Sequence, residues 1–194
     1  MGEPRTTYAN RKRAPKPLDR VRLNDLALSY VARFATTAAK LERYLKRKLG
    51  ERGWDGEGEP DVPALVAQFV EKGYVDDAVY GRAKAGGLMA RGYGQRRVEQ
   101  VLRADGLDES LRARFAPGEY EARGAVLHLA RRRRFGPFAG PRAALDREAA
   151  AKLHEKQLAA MIRAGHNFEM ARHVLDAATE EELEEWVAEA SELD

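Results

Sequence analysis

The feature that most constrains this chain is a helix boundary that occurs three times in closely similar form. Each copy is a glycine followed within three residues by Asp or Asn: GYVDDAVY from Gly73, GLDESLRA from Gly106 and GHNFEMAR from Gly165. Glycine readily adopts the left-handed conformation that ends many helices. The side-chain oxygens of Asp76, Asp108 and Asn167 can then accept hydrogen bonds from the first N–H groups of the next helix. Because the copies lie 33 and 59 residues apart, they predict a tandem array of helical units, the third of which carries an insertion.

Composition favours the same fold class. Ala, Leu, Arg and Glu dominate while the β-branched residues of strands are sparse, so the chain is predicted to be all-α. Charged residues make up 34% and aromatic residues 8% of the chain, and the mean hydropathy is −0.59. With so few apolar residues, each helix can carry only a narrow apolar stripe. This indicates units that contact only their neighbours, and hence an elongated molecule. The sequence has no cysteine, which excludes disulfides and thiolate metal sites and favours the cytoplasm.

The predicted organisation has five segments. Residues 1–18 form a basic arm that is expected to be disordered, either as a binding element or as a plain solvated tail. Three-helix units follow at 19–72, 73–118 and 119–178, and residues 179–194 form an acidic C-terminal helix that starts with a capping box at Thr179 and Glu182. That last segment holds eight acids and no base, so the formal net charge of +3 leaves about +11 on the rest of the chain. Such a charge favours a polyanion or an acidic protein surface as the partner.

Two glycine-rich stretches fall inside this pattern. The pair Gly86-Gly87 interrupts the helix that is predicted to begin at Asp76, and each glycine costs roughly 1 kcal/mol relative to alanine. We therefore expect a kink or an early end of that helix. Further on, Gly92-Tyr93-Gly94 lacks the third glycine and the preceding strand of a dinucleotide-binding fingerprint, so it predicts a tight turn that starts the next helix.

Two concentrations of basic residues are candidate binding surfaces. Six of them occur between positions 82 and 103 against a single acid, Glu99: Arg82, Lys84, Arg91, Arg96, Arg97 and Arg103. At about 100° per residue, a helix from 95 to 104 turns Arg96 and Arg103 away from its apolar side. Tyr93 adds an aromatic ring beside this face, and the second place is the run Arg131, Arg132, Arg133 and Arg134. A phosphate backbone or an acidic groove would suit both, whereas a third basic run at 40–48 is equally well explained as a solvated helix face.

No residue pattern indicates a reaction centre. Asp76 and Asp77 form the conspicuous carboxylate pair, and their place at a helix start favours capping over catalysis. The four histidines show neither HExxH nor i, i+4 spacing, so no metal site and no cofactor are predicted. The sequence also lacks an apolar run of membrane-spanning length and a signal-peptide core. We therefore expect a non-enzymatic binding protein that does not enter a membrane.

From residue 23 to residue 178 the sequence resembles the RecX family, regulators of the RecA recombinase. The resemblance rests on GYVDDAVYGRA at 73–83, RGYGQRRVEQVLRADGL at 91–107, RRRRFGPF at 131–138 and RAGHNFEMARHVL at 163–175. It implies a curved array of three-helix units that lies in the groove of the RecA–DNA filament. It also implies inhibition of strand exchange and of RecA-dependent ATP hydrolysis, and restraint of the SOS response. The positions that match the family motif are Asp76, Asp77, Tyr80, Arg82, Arg91, Arg96 and Arg97.

A second hypothesis is a free-standing helix-turn-helix protein that binds duplex DNA directly. Such a protein places base-reading side chains on its second helix and usually forms a dimer. This chain offers mainly charge and no obvious dimerisation helix. The pattern therefore favours a monomer whose partner is the RecA filament, with single- or double-stranded DNA as a further candidate ligand. The basic arm, the proline-rich connection at 135–141 and the acidic end depart from the family pattern.

Overall fold

A computed structural model describes residues 16–139 and 146–192, and within these ranges the chain is all-α, which confirms the predicted fold class. The α-helices are α1 (Arg20–Val31), α2 (Ala38–Arg52), α3 (Val62–Glu71), α4 (Asp77–Met89), α5 (Gln95–Asp105), α6 (Glu109–Ala113), α7 (Glu119–Arg133), α8 (Arg147–Arg163), α9 (Phe168–Asp176) and α10 (Glu180–Glu189). Short 3-10 helices cover Gly136–Ala139 and Ala190–Glu192. Over the same ranges, β-pairing is limited to an isolated bridge between Leu18 and Trp54.

The three repeated boundaries have the geometry that the sequence predicts. The glycines that end the preceding helices have positive φ angles of 70°, 90° and 98° at Gly73, Gly106 and Gly165 respectively. The predicted caps also accept hydrogen bonds from backbone amides in the first turns of the helices that follow. Asp76 caps α4, Asp108 caps α6 and Asn167 caps α9. These helix ends are therefore fixed by short-range contacts that a sequence pattern can reveal.

The buried apolar side chains form three clusters in chain order. The first lies among α1, α2 and α3 around Leu41 and Leu45. The second joins α4, α5 and α6 around Leu88 and Leu102. The third is formed by α7, α8, α9 and α10 and includes the fully buried Met161. One cluster to each group of helices is the arrangement expected of a tandem array. The unit boundaries at 73 and 119 stay predictions.

The predicted arm is too long at its C-terminal end. Its residues 1–15 lie outside the described residues, but Leu18 is fully buried in the first cluster. The Leu18 amide donates to the carbonyl of Gly53, and its own carbonyl accepts from the amide of Asp55. The chain is therefore anchored to the loop after α2 before α1 begins.

The expected early end of the helix at Gly86-Gly87 does not occur. Helix α4 runs without interruption from Asp77 to Met89. Ala85 and Leu88, on either side of the pair, are buried in the second cluster. Burial on both sides of the glycine pair offsets its low helix propensity, a common outcome where tertiary packing opposes local preference.

The acidic C-terminal segment forms the predicted helix, but it is also a part of the third core. Leu183 of α10 is fully buried, and Trp186 packs against the same cluster. The ring of Trp186 lies 4.4 Å from the ring of His173. The guanidinium of Arg123, a residue of α7, lies 4.7 Å from the same Trp186 ring. Removing α10 would therefore expose apolar surface as well as remove acidic charge.

The first and second helix groups meet where α2 begins and α5 ends. The Thr37 hydroxyl, which caps α2, donates to the carbonyl of Asp105 at 2.6 Å. The amide of Ala38 donates to the carboxylate of Asp77 at 2.8 Å. A Cβ placed on Gly106 would lie 2.3 Å from the Cβ of Ala39. The backbone at Gly106 thus lies very close to the side chain of Ala39. We name this contact between the two helix groups the first junction.

The second and third helix groups meet where α8 ends and α5 begins, which we name the second junction. The amide of Gly94 donates to the carbonyl of Ala164 at 2.9 Å, and the amide of Arg96 donates to that of Gly165 at 3.1 Å. The buried ring of His166 donates from Nε2 to the carbonyl of Gly92 at 3.0 Å. Two amides at the start of α5 are therefore satisfied by the carbonyls of the two residues that follow α8.

Candidate partner-binding surface

The structure exposes the arginine face predicted on α5. Val98 and Leu102 are buried in the second cluster, whereas the side chains of Arg96, Arg97 and Arg103 are exposed. This is the separation into a buried stripe and a charged face that the helical spacing predicts. Because α5 is held by a junction at each end, its exposed face is presented on a helix that is fixed at both termini.

The acid in this stretch does not neutralise the face. Glu99 accepts a 2.7 Å hydrogen bond from Nε of the buried Arg112, and Arg103 lies at 3.6 Å from the same carboxylate. Arg97 hydrogen-bonds to the uncharged Gln100. Arg96 forms no ion pair within the described residues. Most of the positive charge on α5 is thus available to a partner.

The other predicted basic residues of this stretch lie nearby but are less uniform. Arg82 and Arg91 are exposed, whereas Lys84 is half-buried on α4. Its charge contributes to the lowered pKa of Asp105, although hydrogen bonds have the larger part in that shift. Tyr93 is half-buried against the second cluster, so its ring is only partly available for contact.

The four-arginine run is divided between two roles. Arg131 forms ion pairs with Glu180 and Glu184 of α10, and its guanidinium lies 5.5 Å from the ring of Phe138. Burial alone would lower the pKa of Arg131, but the two carboxylates outweigh it and raise that pKa. The remaining members, Arg132, Arg133 and Arg134, are exposed at the end of α7. Arg131 therefore joins α10 to α7, while the other three stay open to solvent.

The acid and tyrosine positions of the motif serve the fold. Asp76 caps α4 by accepting from the amides of Ala78 and Val79, as the sequence predicts. Asp77 does something the sequence does not indicate, since it caps α2 through the amide of Ala38. Burial raises the pKa of Asp77 despite that hydrogen bond. The carboxylate pair is therefore shared between two helix starts.

Tyr80 belongs to a polar network across the first junction. Its hydroxyl donates to Asp105 at 2.6 Å and accepts from Nζ of Lys40 at 3.0 Å, and the Lys40 amine lies 3.2 Å from the same carboxylate. Burial raises the pKa of Tyr80, and so does its bond to Asp105. Burial alone would lower the pKa of Lys40 and raise that of Asp105, but the hydrogen bonds outweigh it, so the pKa of the lysine is raised and that of the aspartate is lowered. Lys40 is thus a structural contact, although its basic run reads as a solvated face.

Two residues beside this surface have no signal in the sequence. Arg114 and His128 line a groove between α4 and α7 together with Arg82. They come from separate elements, after α6 and within α7. No periodicity connects these two residues, so the sequence alone does not show that they belong to this surface.

Residues 16–139 and 146–192 contain no group of three His, Asp or Glu side chains arranged to hold a metal ion. In the same ranges no helix combines the length and the apolar character needed to cross a membrane. The lack of a cofactor and of catalysis stays a prediction.

The fold and this surface define a class of protein: an all-α helical array that presents a basic face on a central helix. No family model matches the chain. It is 32% identical over 174 residues to the regulatory protein RecX of Myxococcus xanthus (strain DK1622), which covers 84% of this chain and 89% of that protein. At this identity and coverage, the chain belongs to the RecX family.

Solved structures share its fold. The crystal structure of a regulatory protein RecX matches with a TM-score of 0.57 at 16% identity, over 81% of this chain and 71% of that one. RecX from Lactobacillus salivarius matches with a TM-score of 0.55 at 13% identity, over 84% of this chain and 96% of that one. The family resemblance seen in the sequence motifs is therefore confirmed.

Proposed function

We propose that this chain is a non-enzymatic regulator that binds the groove of the RecA–DNA filament and inhibits strand exchange, ATP hydrolysis and SOS coprotease activity. It acts as a monomer in the cytoplasm, and single- or double-stranded DNA is a second ligand that its basic face suits. The observation that carries the proposal is the exposed face of Arg96, Arg97 and Arg103 on α5. The name of the relative from Myxococcus xanthus, a regulatory protein, supports the regulatory part.

The electrostatics of this face fit a polyanionic or acidic partner. The nearby acid Glu99 is held by Arg112, so it cannot fully compensate the three arginines. Exposed guanidinium groups are available to phosphates or carboxylates, which they bind in a bidentate manner. An interaction of this kind is strong at low ionic strength and weakens as salt rises.

The structure offers little support for the helix-turn-helix hypothesis. A recognition helix contacts bases with its N-terminal residues, which must therefore enter the major groove. Here the N-terminal turn of α5 lies against the end of α8, since the amides of Gly94 and Arg96 bind carbonyls there. The end of α5 that would read bases is thus partly covered by the third helix group.

The decisive experiment reverses the charge of the face with Arg96→Glu, Arg97→Glu and Arg103→Glu together. Exposed substitutions usually change stability by no more than about 0.5 kcal/mol each, so the helix content should be retained. Inhibition of RecA ATP hydrolysis on single-stranded DNA should be lost, because each repulsive charge weakens association. Circular dichroism and a titration of the ATPase check the two halves of the result.

A matched control carries Arg147→Glu, Lys152→Glu and Lys156→Glu, three exposed positions on α8. It makes the same change in net charge at a surface that the proposal does not use. The control should inhibit like the wild type. Equal loss in both triple variants would mean that net charge alone governs binding, and full inhibition by the α5 variant would place the docking surface elsewhere.

A further inference from the structure

A groove of about 610 Å³ lies between α4 and α7, where the second helix group meets the third. Its lining residues on α4 recur at helical spacing, from Arg82 through Ala85 and Met89. Those on α7 recur in the same way, from Glu121 through Gly124 to His128. The groove is therefore bounded by one continuous face from each of two helices.

Glycines without close neighbours line both helices of the groove. Gly86 on α4 and Gly124 on α7 both line it, and a Cβ added to either would meet nothing within 4 Å. Gly81 shows the contrast, because a Cβ there would collide with the ring of Phe115. Packing within the fold thus explains why position 81 requires a glycine. The space beside Gly86 and Gly124, by contrast, is open to the backbone of a docked segment. Small residues at facing positions are what permits helices to come close together.

The charges of the groove favour an acidic occupant. Arg82 and Arg114 line it and are exposed, and neither forms an ion pair within the part of the chain that the structure describes. Glu121 is the acidic side chain among the lining residues. Phe115 and Met89 supply an apolar portion. Carboxylates on an occupant would pair with the two arginines, and an apolar face would cover Phe115 and Met89.

We propose that this groove binds a short acidic amphipathic helix of a partner protein. The lining of α4 from Arg82 to Ala90 is about 12 Å long at 1.5 Å per residue, which accommodates roughly two turns of a helix. The apolar portion of the lining suits a protein segment better than a phosphodiester chain, which has no apolar face to bury. The inference rests on the proposed function, because the partner it names is a RecA subunit of the filament.

The test fills the groove without changing its charge. Gly124→Leu should weaken binding to RecA filaments on single-stranded DNA by about tenfold or more, as expected when a side chain occupies the space of a docked helix. Its melting temperature should equal or exceed that of the wild type, because leucine is the better helix former and has room. The matched control is Gly87→Leu, an exposed glycine of α4 that also has no neighbour within 4 Å and does not line the groove. The control should bind within about twofold of the wild type.

A second variant tests the occupant. Arg82→Glu with Arg114→Glu should also weaken filament binding, and the loss should shrink at high salt. If the wild type binds filaments and Gly124→Leu binds equally well, the groove proposal is wrong while the proposed function stands. If only the charge variant loses binding, the occupant is a polyanion such as DNA and not a helix. Failure of the wild type to bind filaments at all would overturn both proposals.

Discussion

Three glycines occupy equivalent positions in the repeated boundaries, and their surroundings differ enough to separate two physical effects. Gly73, Gly106 and Gly165 all have φ between 70° and 98°. A Cβ at Gly73 would meet nothing within 4 Å, whereas one at Gly106 would lie 2.3 Å from the Cβ of Ala39. At Gly165 it would lie 2.4 Å from the backbone nitrogen of Arg97. Replacing each glycine by alanine therefore adds the same backbone strain but a different steric cost.

The magnitudes follow from these contacts. Left-handed backbone costs an L residue roughly 1–2 kcal/mol, which is the whole effect expected for Gly73→Ala. For Gly106→Ala we add roughly 1–3 kcal/mol for overpacking, because Ala39 has no flexible side chain that could move aside. Gly165→Ala should cost at least as much as Gly106→Ala, because its contact is with backbone at the second junction. The expected order of destabilisation is Gly73, then Gly106, then Gly165.

Urea denaturation followed by circular dichroism measures the three free energies of unfolding, provided that intrinsic tryptophan fluorescence gives the same transition. A double-mutant cycle of Gly106→Ala with Ala39→Gly isolates the close contact. Removing the opposing Cβ should recover the steric part and leave the backbone strain, so the two changes should couple by roughly 1–3 kcal/mol. Equal losses at all three glycines and no coupling in the cycle would refute the view that the junctions require the missing Cβ.

Two further predictions concern titration and the C-terminal helix. Burial lowers the pKa of His166 below its ordinary 6.5, so the unfolded chain binds the proton first; stability is complete above that value and falls as the pH drops below it. Thermal melts between pH 7.5 and 5.5 should show this slope, and His166→Gln, whose amide can still donate to Gly92, should flatten it; an unchanged slope would remove His166 as the cause. In the second prediction, Glu180→Gln with Glu184→Gln frees the half-exposed Arg131 from both ion pairs. Because exposed pairs contribute little to stability, the fold should persist while DNA affinity in a low-salt anisotropy titration rises, and unaltered affinity would mean that α10 does not mask the basic run.

The candidate surface could be read from the sequence only where one helix carries it. The arginine face of α5 follows from the spacing of Val98 and Leu102, because a helix converts sequence periodicity directly into direction. The same rule cannot show that Arg131 is paired with α10, or that Arg114 and Arg82 line the same groove. Those relations join separate helices, and no local pattern records which helices meet.

The sequence by itself determined the three repeated helix boundaries and the class of fold that the helices build. A cap such as Asp76 or a left-handed glycine such as Gly73 acts within a few residues, so its signal stays in the local sequence. Only the tertiary structure decided that Asp77 caps α2, that α4 continues through Gly86, and that α10 belongs to the third core. Each of these depends on contacts between residues far apart in the chain, where burial and backbone approach outweigh local preference.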